Sequence, residues 1–205
     1  MTVTLSYFDF PGGRGEDCRL ALFLAGIDFV DDRVQGPQWP ERKGDTPFGA
    51  MPVLEVEGKG KLGQSNAILA YVGREHGMHP RDPWEAARHE ALMAAAEDLR
   101  TRITHLFTVK DAEQSKAARE ELAAGYMQRW AADVAKQIAG PFVGGDQLQV
   151  VDLKLYVLMK WFVRGGVDHI PTDVFAGQPR LVALYEAVGA HPKVAEWNAR
   201  FAEGG

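Results

Sequence analysis

The chain has 205 residues, of which 46% are hydrophobic, and a formal net charge of −5. This length and apolar content suit one large domain or two smaller ones with buried cores. The acidic balance argues against a nucleic-acid partner, and the sequence contains no apolar run long enough to cross a membrane, so we expect no membrane partner either.

The N-terminal third alternates predicted strands and helices. Val3–Phe8 alternates apolar and polar residues and ends at a proline-glycine-glycine turn, which indicates a strand. Residues 14–25 then have the apolar pattern of a helix that stops at Gly26. A second strand is predicted over residues 29–34, and a loose turn or short helix over residues 38–43.

Residues 47–68, PFGAMPVLEVEGKGKLGQSNAI, predict an open backbone edge. Proline has no N–H and is tolerated where a strand begins. Pro52 therefore starts a strand over residues 53–57, and the peptide bond before it is a candidate for the cis form. A bend here would leave the N–H and C=O groups of Met51 open to an extended, peptide-like ligand.

A second short strand follows a glycine-rich turn and leads into a helix at Gln64 and Ser65. Ser65 is predicted as the N-cap, because its hydroxyl can accept from free N–H groups of the first turn. Such a helix N-terminus also attracts carboxylates and phosphates. The alternative interpretation is a β-hairpin that runs into a capped helix and binds nothing.

The chain beyond residue 83 has a helical pattern. Residues 78–83 contain two prolines and are predicted as a linker. Val150–Val163 is apolar on almost all sides, which is typical of a helix in the middle of a bundle. Other helices are predicted over residues 84–108, 112–138, 179–188 and 192–201. We therefore expect an α+β protein, with a small mixed sheet covered by helices in residues 1–77 and an all-helical domain in residues 84–205.

Three further features argue against other kinds of site. The glycine-rich residues 10–15 lack the spacing of a phosphate-binding loop. The six histidines are scattered and no metal-binding spacing occurs, so we expect no metal. The single cysteine, Cys18, excludes an internal disulfide and is interpreted as a packing residue. Together with an N-terminus unlike a secretory signal, it predicts a cytoplasmic protein.

Several short motifs stand in a fixed order along the N-terminal third. They are Tyr7-Phe8, Arg14, Glu16 and Arg19; Trp39-Pro40-Glu41 and Lys43; Pro47-Phe48-Gly49; Pro52-Val53-Leu54-Glu55; and Gln64-Ser65-x-Ala67-Ile68. In this order and spacing they resemble the cytosolic glutathione transferases, and within them the sigma-like class that includes the haematopoietic prostaglandin D synthases. The resemblance implies a thioredoxin-like N-terminal domain, an all-α C-terminal domain, a homodimer, and glutathione as co-substrate.

The family pattern implies a role for each matching residue. Tyr7 resembles the residue whose hydroxyl donates a hydrogen bond to the glutathione sulfur, with Arg14 as a second catalytic residue. The resemblance also implies contacts with the rest of glutathione. The glycyl carboxylate would be bound by Trp39 and Lys43, and the cysteinyl moiety by the backbone of Met51 before cis-Pro52. The γ-glutamyl carboxylate would be bound by Gln64 and Ser65, and the γ-glutamyl ammonium by Asp98, which reaches across the dimer interface.

A hydrogen-bond donor at the sulfur makes physical sense. A free thiol has a pKa of about 8.5 and is only slightly ionised at neutral pH. Lowering that pKa by about two units requires roughly 2.7 kcal/mol, and a hydrogen bond to a charged group supplies about 1.5–3 kcal/mol. Tyr7 also precedes a helix whose N-terminal dipole favours an anion. The plainer interpretation of Tyr7 is an ordinary tyrosine of an amphipathic strand.

The other implied residues have plainer interpretations too. Trp39 and Lys43 share a face if their turn is helical, but they could be a surface anchor and a solvated lysine. Asp98 could pair with Arg102, four residues further on, in a surface ion pair of small worth. Glu97 is then the alternative for the role across the dimer.

The electrophile is expected to bind between the two domains. By resemblance, its predicted lining residues are Phe8, Phe10 and Arg14 from the N-terminal domain, and Arg100, Thr104, His105, Lys154 and Leu158 from the helical domain. This polar and basic lining suits an electrophile with a carboxylate or carbonyl group. The alternative is that these side chains only pack or line an interface.

The predicted function is therefore a detoxifying glutathione transferase that activates the glutathione thiolate through a tyrosine hydroxyl for attack on small electrophiles. One alternative is a glutathione-dependent peroxidase or isomerase, or a glutathione-binding ligand carrier with little conjugating activity. A catalytically silent scaffold is a third possibility. Tyr7, Lys43, Gln64 and Ser65 are all present, which argues against the scaffold.

Overall fold

A computed structural model describes residues 2–200 of the chain. It consists of two compact units. Residues up to Arg81 form the first unit together with the segment that starts at Ala190, and Asp82–Gly189 forms the second.

The first unit contains a four-stranded mixed sheet. Its strands are Val3–Phe8 (β1), Val30–Val34 (β2), Val53–Val56 (β3) and Gly60–Gly63 (β4). They lie in the order β2-β1-β3-β4, with β2 parallel to β1, and with β3 antiparallel to both β1 and β4. The predicted mixed sheet is therefore confirmed. The register sets Tyr7 opposite Arg33 and Leu5 opposite Leu54.

Residues 2–200 form nine α-helices. They are Gly13–Leu24 (α1), Trp39–Arg42 (α2), Ser65–Glu75 (α3), Pro83–Leu106 (α4), Ala112–Ala124 (α5), Tyr126–Ala135 (α6), Val150–Val163 (α7), Pro179–Ala190 (α8) and Pro192–Arg200 (α9). In the first unit α1 and α3 pack together, because Leu20 and Leu22 of α1 and Ile68 and Leu69 of α3 are buried. The alternation of β1 likewise buries its odd-numbered residues.

The last helix, α9, packs against α1 and so belongs to the first unit. Its Trp197 ring lies 5.2 Å from that of Phe23, and the Nζ of Lys193 donates to the carbonyl oxygen of Leu24 at 3.0 Å. The sequence predicts this helix as part of the all-helical domain, because a helical pattern alone does not indicate which element the helix packs against.

The second unit is entirely helical, as predicted. Helix α7 is buried along almost its whole length, which confirms the expectation of a helix inside a bundle. The carboxylate of Asp152, in its first turn, accepts from the backbone N–H groups of Val143 and Gln149, both at 2.8 Å. This contact fixes the preceding loop to the start of α7.

The prediction of one helix over residues 112–138 is wrong. Two helices occupy this stretch, α5 and α6, and Gly125 separates them with φ −105° and ψ −86°. The apolar spacing continues across the break, since Ala123, Met127 and Trp130 are all buried. Periodicity alone therefore did not reveal it.

Along the part of the chain that the structure describes, no helix is both long enough and apolar enough to span a membrane. Within the same residues, no three side chains of His, Cys, Asp or Glu come together as a metal site would require.

Candidate active site

The hydroxyl of Tyr7 lies at the N-terminal turn of α1. Tyr7 is only 6% exposed, and two glycines of α1 border its side chain. A Cβ on Gly13 would lie 2.8 Å from the Tyr7 hydroxyl, and one on Gly15 would lie 2.1 Å from its Cδ1 atom. Only glycine lets the backbone of α1 approach the phenol this closely. The positive end of the helix therefore lies beside the hydroxyl.

Aromatic rings surround the end of β1. The ring of Phe10 lies 5.6 Å from that of Tyr7, and the ring of Phe8 lies 5.7 Å from that of Trp39. Phe10 is 43% exposed. Arg14, in the first turn of α1, is half-buried. Four predicted site residues, Tyr7, Phe8, Phe10 and Trp39, are thus linked by ring contacts in the first unit.

Helix α2 carries Trp39, and Lys43 follows it directly. Trp39 is half-buried against Phe8, whereas Lys43 is exposed. The short helix predicted here is confirmed, and a 3-10 turn flanks it on each side. Trp39 and Lys43 are therefore one helical turn apart, as a shared ligand would require.

Ion pairs fix the α2 segment to the sheet. Both oxygens of Asp32, on β2, accept from the guanidinium of Arg42, one of them at 3.0 Å from Nη1. The hydroxyl of Ser6 also donates to Asp32, at 2.6 Å. The Arg42 hydrogen bond lowers the pKa of Asp32. After α2, Asp45 pairs with Lys61 of β4, and this hydrogen bond lowers the pKa of Asp45.

The peptide bond between Met51 and Pro52 is cis, which confirms the sequence prediction. The ladder between β3 and β1 begins at Val53, so Met51 lies outside it. Pro52 is buried and Met51 is half-buried. Contact of the Met51 backbone with an extended peptide stays a prediction.

The prediction that Ser65 is the N-cap of α3 is wrong. The cap is Gln64, whose carbonyl oxygen accepts from the N–H of Ile68 at 3.0 Å, and Ser65 is the first residue of the helix. Gln64 has the left-handed conformation, with φ 71°. Its side chain is exposed, while Ser65 is 3% exposed.

In the second unit, Glu97 of α4 is engaged by two buried cations. It accepts from Lys154 of α7, and from Arg100 at 3.0 Å. Lys154 is 0% exposed and Arg100 is 2% exposed. Glu97 is thus tied to its own unit, which argues against it as the alternative to Asp98.

Asp98 itself is exposed on α4. The guanidinium of Arg102 lies over the ring of Tyr126, 4.2 Å from its centroid. Among the described residues no ion pair joins Asp98 to Arg102, and the role of Asp98 across a dimer interface stays a prediction.

The remaining predicted lining residues of the second unit differ in exposure. His105 is exposed, and Thr104 is half-buried with its hydroxyl donating to the carbonyl oxygen of Arg100 at 2.9 Å. Leu158 is 0% exposed, like Lys154. Contact of Arg100, Lys154 and Leu158 with an electrophile stays a prediction, and their side chains lie in the interior of their unit.

Sequence reasoning gave no role to three groups that shape this site. Gly13 and Gly15 count in the sequence only as part of a glycine-rich turn, although Gly13 directly precedes the helix predicted over residues 14–25 and Gly15 lies in its first turn. Arg19 was a matching motif position without a function. It is fully buried, and its guanidinium carbon lies 5.7 Å from the centroid of the Tyr7 ring.

Comparison with known proteins identifies the family. The model of the glutathione S-transferase N-terminal domain matches residues 3–74, and that of the C-terminal domain matches residues 97–200. A protein named probable glutathione S-transferase 7, from Caenorhabditis elegans, is 34% identical over 73% of this chain and 74% of its own. The hematopoietic prostaglandin D synthase of Gallus gallus is 30% identical over 94% of this chain and 93% of its own.

The structure agrees with these matches. The solved structure of prostaglandin synthase D of Nilaparvata lugens has a TM-score of 0.86 to this chain at 27% identity, and the match covers 98% of each chain. The chain belongs to the glutathione S-transferase family. Its fold is a thioredoxin-like N-terminal domain followed by an all-helical C-terminal domain, and the resemblance to the sigma-like class is confirmed.

Proposed function

We propose that this protein is a glutathione transferase in which the Tyr7 hydroxyl donates a hydrogen bond to the glutathione thiolate and prepares it to attack small electrophiles. The observation that carries the proposal is the position of that hydroxyl, held at the N-terminal turn of α1 by the close approach of Gly13 and Gly15. A neutral donor and a helix dipole both favour a thiolate over a thiol.

The energies suffice for this role. A hydrogen bond to an anion contributes about 1.5–3 kcal/mol, and a helix N-terminus adds about 0.3–1 kcal/mol. Their sum covers the roughly 2.7 kcal/mol needed to lower a thiol pKa by about two units. Arg14, half-buried in the same turn, adds positive charge beside the anion.

The glutathione backbone needs partners of matching charge. We assign its glycyl carboxylate to Trp39 and Lys43, its cysteinyl backbone to Met51, and its γ-glutamyl carboxylate to Gln64 and Ser65. The left-handed φ of Gln64 supports the last assignment. Such a conformation costs about 1–3 kcal/mol for a residue other than glycine and is concentrated at ligand-binding sites.

The rest of the proposal concerns the subunit and the electrophile. We propose a homodimer in which the exposed Asp98 meets the γ-glutamyl ammonium of the partner's ligand. Residues 1–77 form the glutathione-binding domain in this proposal, residues 78–83 the linker, and residues 84–205 contribute to binding the electrophile. The lining residues that are not fully buried are Phe8, Phe10, Arg14, Thr104 and His105.

A glutathione-dependent isomerase is the second candidate. It is favoured by the names of two similar proteins, the prostaglandin D synthase of Gallus gallus and prostaglandin synthase D of Nilaparvata lugens. Both candidates use the same activated thiolate, so they differ only in the second substrate. Assays of conjugation, hydroperoxide reduction and isomerisation on one preparation separate them.

Replacement of Tyr7 tests the proposal. The Tyr7→Phe variant removes only the hydroxyl, so conjugation of glutathione to a chloronitrobenzene should fall by roughly 10- to 100-fold in kcat, as the loss of one hydrogen bond to an anion predicts. Retention on immobilised glutathione should remain nearly unchanged, because the proposed peptide contacts are intact.

The matched control is Tyr71→Phe. This variant also removes a hydroxyl of the first unit. Tyr71 lies on α3, and its hydroxyl accepts from the Nζ of Lys59 at 2.9 Å. This control should conjugate like the original protein. A Tyr7→Phe variant with the original conjugation rate would refute the role of Tyr7.

A further inference from the structure

A chain of buried polar contacts connects α9 to the end of β1. The indole N–H of Trp197 donates to Glu16 Oε1 at 2.7 Å, and Glu16 Oε2 lies 3.6 Å from Nη1 of Arg19. Arg19 in turn donates to the carbonyl oxygens of Phe8, at 3.3 Å, and Phe10, at 3.2 Å. These two carbonyls belong to the turn that directly follows Tyr7.

The guanidinium of Arg19 is fixed on every side. Its side chain is 0% exposed, and its Nε donates to Asp31 Oδ1 at 2.8 Å. The opposite edge faces Glu16, and both terminal nitrogens donate to the two carbonyls. Arginine presents five N–H groups in one rigid plane, so these three acceptors, with the charge of Glu16 beside them, define a single position for it.

The turn that Arg19 holds packs against the Tyr7 ring. Phe10 packs against the Tyr7 ring, and its N–H donates to the Phe8 carbonyl at 3.0 Å. The guanidinium carbon of Arg19 lies 5.7 Å from the centroid of the same ring. A shift of Arg19 would therefore move both the turn and the support behind the phenol.

The link from α9 can be separated from the packing of α9. The Trp197 ring packs on Phe23, and Lys193 donates to the Leu24 carbonyl. Neither contact requires the indole N–H. Removal of that N–H therefore alters the contact with Glu16 and leaves the helix docked.

We propose that Arg19 is a positioning residue for the Tyr7 hydroxyl, and that Trp197, acting through Glu16, holds Arg19 in place. The C-terminal helix thereby contributes to the rate of the reaction without touching its substrates. This inference rests on the proposed function, because it concerns the geometry of the hydroxyl that stabilises the thiolate.

Two conservative variants test the inference. Trp197→Phe keeps an aromatic ring on Phe23 and removes the donor to Glu16. Glu16→Gln keeps an acceptor for the indole and removes the charge beside Arg19. We expect each to lower kcat for conjugation roughly 3- to 10-fold, because small displacements of a catalytic group reduce rates steeply. The KM for glutathione should change less than about twofold, since the proposed peptide contacts are untouched.

Two further measurements distinguish positioning from general destabilisation. The matched control, Trp130→Phe, removes an indole N–H that donates at 2.9 Å to the Ala95 carbonyl in the second unit. It should lose comparable thermal stability and keep the original kcat. In the Trp197→Phe and Glu16→Gln variants, the pH at which kcat/KM reaches half of its plateau should move upward, because the thiolate is less stabilised. All rates are measured below the onset of thermal unfolding.

The Arg19→Lys variant provides the strongest test. One compact ammonium cannot reproduce the planar set of hydrogen bonds to Asp31, Phe8 and Phe10, so kcat should fall further than in Trp197→Phe. If Arg19→Lys does not fold, the kinetics of Trp197→Phe and Glu16→Gln test the inference. The inference is overturned if both keep the original kcat and pH profile while Tyr7→Phe is slow. If Tyr7→Phe itself conjugates at the original rate, the proposed function fails and the inference fails with it.

Discussion

At Gly15 the backbone of α1 lies so close to Tyr7 that a side chain has no room. A Cβ there would lie 2.1 Å from Cδ1 and 2.3 Å from Cγ of the phenol ring, far inside van der Waals contact. In an ordinary helix interior, alanine is more favourable than glycine by about 1 kcal/mol. At this position the overlap reverses that preference, because the tyrosine must move to admit a methyl group.

The Gly15→Ala variant should therefore lose activity. We expect kcat for conjugation to fall at least about tenfold, since the hydroxyl is displaced from its place beside the helix terminus. The free energy of unfolding should fall by about 1–3 kcal/mol. Steady-state kinetics and chemical denaturation measure the two effects.

Gly177→Ala is the matched control. A Cβ on Gly177 would meet no atom within 4 Å, so both quantities should stay near their original values. A Gly15→Ala variant that conjugates normally would show that the Tyr7 position is not constrained by α1.

The residues proposed for the site came from the sequence, but the contacts that hold them did not. Tyr7, Trp39, Lys43, Met51 and Gln64 follow from local motifs in one order along the chain. The contacts of Arg19 and Gly15 join segments that are distant in sequence or on different elements, so no local pattern contains them. The same holds for Glu16, whose partner Trp197 is 181 residues away.

At the scale of single elements, α2 is the least secured part of the site. It has only four residues, none of them buried, and isolated helices of this length have no stability of their own. Besides the contact of Trp39 with Phe8, it is attached by the ion pair between Arg42 and Asp32, reinforced by Ser6. If α2 holds the glycyl carboxylate, this ion pair sets the affinity for glutathione.

The Asp32→Asn variant tests this attachment. Partly exposed ion pairs contribute up to about 1 kcal/mol, so the KM for glutathione should rise by at most about fivefold, with kcat unchanged. The difference from the original protein should shrink at high salt, because salt screens the pair. Isothermal titration with glutathione at two salt concentrations measures this difference in affinity.

The control is Asp133→Asn, which breaks an exposed ion pair with Lys136 in the second unit. Its affinity for glutathione should not change. Equal affinity in Asp32→Asn at low salt would contradict the proposed dependence on α2.

The sequence predicted some element boundaries correctly where a proline or a glycine marks them. The Pro52 start of β3 and the glycine turn after β1 were correct because proline and glycine restrict the backbone locally. The start of α3 was wrong by one residue, since Gln64 takes a left-handed conformation that a glutamine rarely adopts. The break at Gly125 was missed because both helices bury the same apolar stripe.

At the scale of the whole molecule, Asp152 in the second unit contributes to the pH dependence of stability. Burial raises the pKa of Asp152 to about 7, against the opposing effect of the N–H groups of Val143 and Gln149. In the unfolded chain an aspartate has a pKa of about 3.9. Between these values the folded state binds more protons, so the contribution of Asp152 to stability is full below about pH 4 and is lost as the pH rises through about 7.

The Asp152→Asn variant should remove this dependence. The free energy of unfolding, measured by chemical denaturation between about pH 5 and about pH 8, should fall less steeply in the variant, by up to about 1.4 kcal/mol per pH unit. The variant should also be less stable at about pH 5, because an amide offers one acceptor where the carboxyl group serves two donors.

Asp146→Asn is the control, since this carboxylate is exposed in the loop before α7. It should leave the slope unchanged. The same slope in Asp152→Asn as in the original protein would show that Asp152 does not titrate in this range.

The central claim is that the Tyr7 hydroxyl stabilises a thiolate, and the pKa of bound glutathione tests it most directly. The ultraviolet absorbance of the thiolate is titrated against pH in complexes of glutathione with the original protein and with Tyr7→Phe. We expect a thiol pKa about two units below its free value of about 8.5 in the original complex, and a value near that of free glutathione in the variant. The same lowered pKa in both complexes would contradict the account.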